Sequence, residues 1–435
     1  MKYLIPFLAA FFLTVMPVLP QEDIETNYRE FFDEGEYFFN RGDYQEALYY
    51  YIKLMEYQPE NASYNFKIGE CYLNIPGKET MSIPYFEKAV KNITDKNKYR
   101  KKAFDETQAP MHAYFYLGNA YRINNQLDKA LEAYDTFVLS PFYAGNYNVT
   151  IVENEIKSCE RAKIIEDNPV SITETLLPDH INTSASELYP VVSEDERKLV
   201  FIRRLKFYDA LYYSTNEGGE WSYPFNITPD IGSDGEFYPT SLSADGKELY
   251  LVRRSEQGSD IYVSFYKNDR WSKATRLNKN INSPRNENAA AISDDDKLLF
   301  VASDRKGGKG GFDLYVSKKD NTGAWSRVKN LGRIINSPFD ESSPVAIKNG
   351  KVLFFSSKGH FNMGGYDIFY SMLENKKWTT PVNLGSPVND TGDNAFYCTA
   401  GNGKTGYISR FGASGGSEDI YKLEIRSNLP DFQNE

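Results

Sequence analysis

The sequence has few of the residues on which most site chemistry depends. Only 3 cysteines and 3 histidines occur among its 435 residues. Cys71, Cys159 and Cys398 lie far apart and form no CxxC motif, which argues against a zinc site or a disulfide framework. We therefore predict no metal site, no cofactor and no catalytic residue.

An excess of positive charge is missing too. The formal net charge is -10 at pH 7, and the isoelectric point is near 5.2. Proteins that bind the phosphate backbone normally carry a basic surface, so we expect no nucleic-acid partner. After residue 20 no apolar run is long enough to cross a bilayer, so we expect a protein that is at most peripheral to a membrane.

Residues 1–20 have the features of a secretory signal peptide. Lys2 provides a positive start, residues 4–19 are mostly apolar, and acidic, polar sequence begins at Gln21. A signal anchor is the alternative, but an apolar segment of about 16 residues with two prolines is short for spanning. The first cysteine is Cys71, so none follows the signal directly to accept a lipid. We expect an exported protein, periplasmic or associated with the outer membrane, that is not a lipoprotein.

Residues 24–166 contain a helical repeat. Gly35 and Gly69 lie 34 residues apart, which is the period of the tetratricopeptide repeat, a pair of antiparallel helices. Ala47 and Tyr51 follow Gly35 at the positions where that repeat packs its second helix against the first. We predict a helical solenoid whose concave groove holds a peptide or helix of a partner.

The third repeat begins later than this period requires. Gly118 comes 49 residues after Gly69, so the sequence predicts an inserted loop of about 15 residues, which we place within residues 94–108. An amphipathic segment at 150–166 is expected to form the helix that caps the stack.

After Pro169 the sequence changes to alternating strands and glycine turns. Each unit contains an apolar strand such as Leu249-Tyr-Leu-Val252 and a strand that starts with aspartate, such as Asp260-Ile-Tyr262. Four strands in roughly 50 residues are typical of a β-propeller blade. The period is marked by Trp221, Trp271, Trp325 and Trp378, which are separated by 50, 54 and 53 residues.

Five inner strands can be counted, so we predict five blades over residues 170–425 and a short tail over 426–435. The last unit ends near Ile425 without a tryptophan strand of its own, and the segment from Ile172 to Leu177 resembles that missing fourth strand. Pairing it with the last blade would close the ring and remove free edges. The predicted fold class is α + β and multidomain: an α-helical solenoid followed by an all-β propeller.

The unit from Ser293 to Tyr315 resembles the WD40-like, TolB-type propeller repeat. Together with a signal peptide and tetratricopeptide repeats, it makes the chain similar to periplasmic proteins of Bacteroidota. Among these are PorE-like accessory proteins of the type IX secretion and gliding machinery. The resemblance implies a non-enzymatic scaffold that binds envelope proteins or peptides, with glycan or peptidoglycan as a further class of partner.

We expect the chain to depart from those relatives in two respects, the lack of an OmpA-type peptidoglycan-binding domain and the lack of a lipid-accepting cysteine. We therefore do not predict that this chain is tethered to the cell wall. Two other functions stay open: a glycan-binding or glycan-active propeller linked to polysaccharide use, and a TolB-like role in envelope integrity. A glycosidase needs two carboxyl groups at a fixed separation, and the sequence places no such pair.

Aligning the blades places charged residues in rings on one face of the predicted propeller. Arginines share a position at the end of the second strands, and glutamates recur in the loops that enter the inner strands. Both sets of loops emerge on the same face, so we predict that this face contacts a partner peptide or glycan. The alternative is that these charges pair within or between blades. The predicted binding residues are Arg204, Arg254, Arg305, Arg410, Glu187, Glu236, Glu287, Glu341, Tyr189 and Tyr238.

Two further patterns are interpreted as turns. The glycine-rich loop 307–311 precedes no helix and has no closing Lys-Ser/Thr pair, which excludes a P-loop. The aspartates that begin the third strands recur once per blade, so we expect them to hydrogen-bond the turn rather than to bind a metal.

Overall fold

A computed structural model describes residues 21–141, 143, 145–412, 416–426 and 429–430. The predicted signal peptide lies outside the described residues, as does most of the predicted tail. The chain forms two compact units that divide between Tyr116 and Leu117. No helix in the described part combines the length and the apolar character that a membrane span requires.

The first unit is helical, as predicted. Asp43 and Asn61 cap the N-termini of the second and third helices, because their side chains accept from the amides of Glu46 and Tyr64. The short fourth helix follows a 3-10 turn over Glu79–Ser82. The helices of this unit are α1 (Gln21–Asn40), α2 (Tyr44–Tyr57), α3 (Ala62–Leu73) and α4 (Ile83–Ala89), and α5 (Ala113–Ile123) begins in it.

The repeat glycines allow paired helices to approach closely. A Cβ on Gly69 would lie 2.7 Å from the ring of Phe86, and one on Gly118 would lie 2.4 Å from the ring of Tyr134. Both distances are too short for a real contact, so only glycine fits beneath these rings. The predicted tetratricopeptide-like pairing is confirmed.

The predicted insertion occupies the connection between α4 and α5. Its ends are joined by a short parallel pair, β1 (Ile93–Thr94) with β2 (Ala109–Pro110). Between them the chain loops back over α1 and α3. The groove that the sequence analysis assigned to a partner is therefore filled by the chain itself along these two helices.

The second unit contains α6 (Leu127–Val138), α7 (Val149–Glu166) and the strands. Composition alone placed the change of domain after residue 166, whereas the compact unit begins at Leu117. The reason is that side chains of the last helices bond to loops of the propeller, as described below.

Five antiparallel sheets form the propeller, which confirms the predicted fold class. In each sheet the first strand is innermost and the later strands follow outward. Blade 1 comprises β4 (Glu187–Val192), β5 (Lys198–Arg204), β6 (Asp209–Glu217), β7 (Glu220–Trp221) and β8 (Phe225–Asn226); a helical turn, α8 (Thr228–Ile231), follows. Blade 2 comprises β9 (Phe237–Leu242), β10 (Glu248–Ser255), β11 (Gly258–Lys267), β12 (Arg270–Trp271) and β13 (Thr275–Arg276).

Blades 3 to 5 repeat this order. Blade 3 comprises β14 (Glu287–Ile292), β15 (Leu298–Ser303), β16 (Asp313–Lys318) and β17 (Lys329–Asn330). Blade 4 comprises β18 (Glu341–Ile347), β19 (Val352–Ser357), β20 (Asp367–Glu374), β21 (Lys377–Trp378) and β22 (Val382–Asn383). Blade 5 comprises β23 (Cys398–Ala400), β24 (Thr405–Phe411), β25 (Glu418–Ile425) and β3 (Ile172–Leu176).

The ring closes as the sequence predicts. Strand β3 pairs antiparallel with β25, from Ile172 opposite Ile425 to Leu176 opposite Tyr421. The first strand of the region thus completes the last blade, and the outer edge of β25 is covered.

The tryptophan period reflects packing between neighbouring blades. Trp221 packs on Tyr407 and Ile420 of blade 5, and Trp271 packs on Tyr213 of blade 1. Each tryptophan follows a third strand and fills the seam toward the preceding blade, where burial of a large aromatic side chain contributes about 3 kcal/mol. Blade 5 has no tryptophan, and Tyr397 is among the residues that fill its seam with blade 4.

Candidate interaction face of the propeller

The strand register corrects the sequence alignment of the arginines by one residue. Arg203 lies opposite Ala210 and Arg253 lies opposite Asp260, at the positions that Ser303, Ser357 and Arg410 occupy in their own blades. Arg204 and Arg254 come one residue later and so point away from this position. Because blades 1 and 2 each have two consecutive arginines, the sequence alone does not show whether the first or the second of them shares this position.

The predicted glutamates mostly lie inside the blades. Glu187, Glu287 and Glu341 are fully buried. Glu187 accepts from the amide and hydroxyl of Thr183 at 3.0 and 2.8 Å and from Nε of Arg203 at 2.6 Å. A partner cannot reach these carboxylates, so this part of the predicted face is corrected: they hold the connector between blades to the second strand.

Three more of the predicted charged residues form ion pairs with other residues of the propeller. Arg305 reaches Glu287 at 3.0 Å, and Arg410 pairs with Glu174 of β3 at 3.1 Å. Glu236 pairs with Arg253 at 3.1 Å near the surface. These side chains are engaged within the propeller, as the alternative of internal pairing expects.

Blade 4 has no arginine beside its buried glutamate. Glu341 accepts from the amide of Ser337 at 3.0 Å and from the hydroxyl of Ser357 at 2.8 Å. His360 lies 4.0 Å away, but burial lowers the pKa of its ring. Burial raises the pKa of Glu341 to about 7, although the serine hydrogen bonds act in the opposite direction.

This carboxyl makes the propeller less stable as the pH rises. The raised pKa means that the native state keeps a proton which the unfolded chain has already lost, so stability falls from about pH 4.5 to about pH 7. We expect Glu341→Gln to remove about 3 kcal/mol of that decline. Urea unfolding followed by tryptophan fluorescence between about pH 5 and pH 8 measures it. Identical pH slopes in the two proteins would contradict the expectation.

Two of the recurrent aspartates, Asp313 and Asp367, hold turns as predicted, whereas Asp260 pairs with Arg276 at 2.7 Å. Asp313 accepts from the amides of Lys309 and Gly310 at 2.7 and 2.8 Å, and Asp367 accepts from the amide of Met363 at 2.6 Å. The glycine-rich loop before β16 is therefore folded around a carboxylate of its own blade. Within the described part of the chain, no group of three or more His, Cys, Asp or Glu side chains is placed to hold a metal ion.

Helices α5 and α7 cover the part of the face that belongs to blade 4 and to the connector leading to blade 5. Arg161 donates to the carbonyl of His360 at 2.8 Å and to Oδ1 of Asn362 at 2.7 Å. Arg122 donates to the carbonyl of Thr391 and pairs with Glu155 at 3.1 Å. This docking was not predictable, because no local pattern in the sequence relates α7 to a loop about 200 residues later.

Over blades 1, 2 and 5 an aromatic group surrounds one exposed arginine; we call it the mouth cluster, formed by Tyr189, Tyr238, Phe396 and Arg254. The Arg254 guanidinium lies 4.3 Å from the ring centre of Tyr238 and 5.8 Å from that of Tyr189. Tyr189 meets Phe396 edge to face at 4.3 Å. No ion pair joins Arg254 to any residue that the structure describes, so its charge is available to a ligand.

A backbone irregularity directs Tyr189 into this cluster. Its φ is +54°, and the ladder between β4 and β5 shifts register between Leu188 and Val191. Such a bulge re-aims a side chain at the cost of local strain, and a register shift between the first and second strands recurs in blades 2, 3 and 4. Beside the cluster, Phe207 at the tip of the β5–β6 loop is 86% exposed, and Arg204 is about half exposed.

Comparison with known proteins adds to the description of the fold. No family model and no curated protein match the chain. The crystal structure of TolB from Acinetobacter baumannii is 15% identical over 65% of this chain and 72% of that chain, with a TM-score of 0.37. The first tetratricopeptide domain of Spaghetti (RPAP3), solved with an HSP90 peptide, is 21% identical over 32% of this chain and 97% of that chain, with a TM-score of 0.24.

A GH62 hydrolase in complex with xylotriose is 9% identical over 59% of this chain and 95% of that chain, with a TM-score of 0.37. At these identities and TM-scores the likenesses concern the fold alone. The assignment of a helical region followed by a five-bladed propeller rests on the helices and the strand pairing of the chain itself.

Proposed function

We propose that the protein is a non-enzymatic scaffold of the bacterial cell envelope that binds a partner protein through the mouth cluster of its propeller. The observation that carries the proposal is an exposed, unpaired arginine stacked on two tyrosines beside a third ring. Arginine and tyrosine are the residues that most often dominate protein–protein binding energies. The sequence resemblance supports a narrower form of the proposal, an accessory part of a type IX secretion or gliding complex in the periplasm.

The geometry favours recognition of an acidic or carbonyl-rich segment. The tyrosine ring beneath Arg254 orients its guanidinium, while its N–H groups remain free to donate to a carboxylate. Phe207 adds exposed apolar area on the same face. Because α5 and α7 cover blade 4 and the connector leading to blade 5, a partner has access to the side of blades 1 and 2.

We expect Arg254→Glu to lower partner capture at least about tenfold, because it reverses the charge at the centre of the cluster. The measurement is affinity capture of envelope proteins by the tagged chain, with quantitative mass spectrometry of wild type and variant side by side. Arg327→Glu is the matched control, since Arg327 is exposed at the outer edge of blade 3. Equal capture by the two variants would remove the mouth cluster from the proposal.

A glycan-binding or glycan-active propeller is the competing function, and the same aromatic rings are a surface that could serve it. A glycan array and a hydrolysis assay on the purified mature chain separate the two functions. Turnover of a glycoside would overturn the scaffold proposal, whereas protein capture that depends on Arg254 without glycan binding supports it.

A further inference from the structure

The inserted loop of the first unit is folded against the helical repeat like a bound peptide. We call residues 95–108 the strap. Phe104 in its centre is 6% exposed and lies edge to face with Phe32 of α1 at 6.0 Å, with the guanidinium of Arg29 at 5.0 Å from its ring centre. Lys101 lies over the ring of Phe39 at 5.7 Å.

The strap lies along α1 and α3, the first helices of two successive pairs, and its Phe104 also stacks on Tyr57 at the C-terminal end of α2 at 6.1 Å. Arg29, Phe32 and Phe39 share one side of the helix because they are three and seven residues apart. Phe39 also meets Tyr51 of α2 edge to face at 6.2 Å, so this side of α1 is shared between the strap and α2. The strap therefore occupies the inner surface that a repeat of paired helices leaves open for a ligand.

Polar contacts tie the same loop to α3. The hydroxyl of Tyr64 donates to the carbonyl of Phe104 at 2.6 Å, and the side chain of Asn61 donates to the carbonyl of Glu106 at 3.0 Å. Ser63 and Tyr99 share a hydroxyl contact of 3.1 Å. Side chains that donate to backbone carbonyls bind a peptide through its main chain and depend little on most of its sequence.

The strap makes α3 an inner helix. A helix of a solenoid normally keeps one polar face in water. Here ten of its twelve residues are buried, including polar ones: Ala62, Ser63, Tyr64, Asn65, Phe66, Lys67, Ile68, Gly69, Cys71 and Tyr72.

The strap is also closed on itself, so it can leave as one piece. The pairing of β1 with β2 holds its two ends together, with Ile93 opposite Ala109 and Thr94 opposite Pro110. Within it, Arg100 pairs with Asp105 at 2.9 Å, and Glu106 accepts from the amides of Arg100, Thr107 and Gln108 at 2.9 to 3.0 Å. A compact loop of this kind moves as a unit about its joined ends.

We propose that the strap is an exchangeable internal ligand, and that the groove of α1 and α3 binds a partner segment of the same chemistry. That segment is a peptide that folds into turns as the strap does, with an aromatic residue for the Phe104 site and with backbone carbonyls that accept from Tyr64 and Asn61. Binding of such a segment requires release of the strap, so the strap lowers the affinity of the groove until a better ligand displaces it. This proposal does not depend on the mouth cluster.

The test uses a labelled synthetic peptide of residues 95–108 and the full mature chain. In one variant, residues 96–106 are replaced by a Gly/Ser linker of equal length. We expect this variant to bind the peptide at least about tenfold more tightly than wild type, as measured by fluorescence anisotropy. A peptide carrying Phe104→Ala and a scrambled peptide serve as controls. A folded variant that shows no saturable binding, or that binds all three peptides alike, would overturn the proposal.

Hydrogen exchange of the wild-type chain tests the same proposal without a variant. The amides of Tyr99, Ala103 and Glu106 are hydrogen-bonded within the strap, to Asp95, Arg100 and Ala103 respectively. We expect these amides to exchange together, at least about tenfold faster than the hydrogen-bonded amides of α3. Exchange of strap and helix at one common rate would show that the strap opens only on unfolding, and would overturn the proposal even if the linker variant failed to fold.

Discussion

Replacement of Glu187 with alanine is expected to lower the free energy of unfolding of the propeller by about 3–5 kcal/mol. The side chain is fully buried and accepts from Thr183 and from Arg203, whose own side chain is 13% exposed. Its removal leaves the Arg203 guanidinium without its carboxylate in a site that water scarcely reaches. An uncompensated buried charge of this kind strongly destabilises the folded state. All 4 tryptophans lie in the propeller, so their fluorescence during urea unfolding reports on this unit.

Two comparisons make this result specific. Glu217→Ala, at the exposed end of β6, should change the free energy of unfolding by no more than about 0.5 kcal/mol. The double variant Glu187→Leu with Arg203→Met should regain most of the loss, because it removes both charges and keeps apolar volume. A loss of under about 1 kcal/mol in Glu187→Ala would mean that the pair does not hold the connector.

Replacement of Asn182 with alanine is expected to cost about 3 kcal/mol and to accelerate unfolding of the ring. Oδ1 of Asn182 accepts from the amide of Ile420 at 2.8 Å, and its Nδ2 donates to the carbonyls of Ile420 and Leu177 at 3.0 and 3.1 Å. These are buried backbone groups, so their loss leaves donors and acceptors unsatisfied.

The matched variant is Asn336→Ala, which removes the equivalent pair of bonds to the backbone of Leu314 in blade 3 and a third bond to Oδ1 of Asn330. In blade 3 the third and fourth strands, β16 and β17, follow each other in the sequence. In blade 5 the third and fourth strands, β25 and β3, are held together only by non-covalent contacts. We therefore expect Asn182→Ala to raise the unfolding rate more than Asn336→Ala does at a similar equilibrium loss. Equal unfolding rates in stopped-flow tryptophan fluorescence would contradict a special role of the closing seam.

Much of the architecture was predictable because it is repeated. The spacing of Gly35 and Gly69 predicted helix pairs, and the spacing from Trp221 to Trp378 predicted the blades. Each period reflects a contact that every repeat must form again. In the helix pairs it is the contact of an aromatic ring with a glycine, and in the propeller it is the packing of a tryptophan between two blades. The missing fourth strand of blade 5 predicted closure by Ile172–Leu176 for the same reason.

The candidate face was predicted only in outline. Arg254, Tyr189 and Tyr238 do meet at the surface, but Phe396 and Phe207 were not among the predicted residues. An aromatic residue at the inner-strand position of the fifth unit was the one signal that could have found Phe396. Exposure of Phe207 depends on the length and direction of a hairpin, which the apolar pattern does not specify.

By itself the sequence determined the kinds of element, their number and the way the ring closes, since these follow from periodicity along the chain. Tertiary structure alone decided which charges are buried, which arginine of each consecutive pair faces its glutamate, and which surfaces the chain covers with its own segments. The physical reason is that burial and charge pairing depend on groups far apart in sequence. Arg161 with the loop at His360, and Tyr64 with Phe104, meet only after folding.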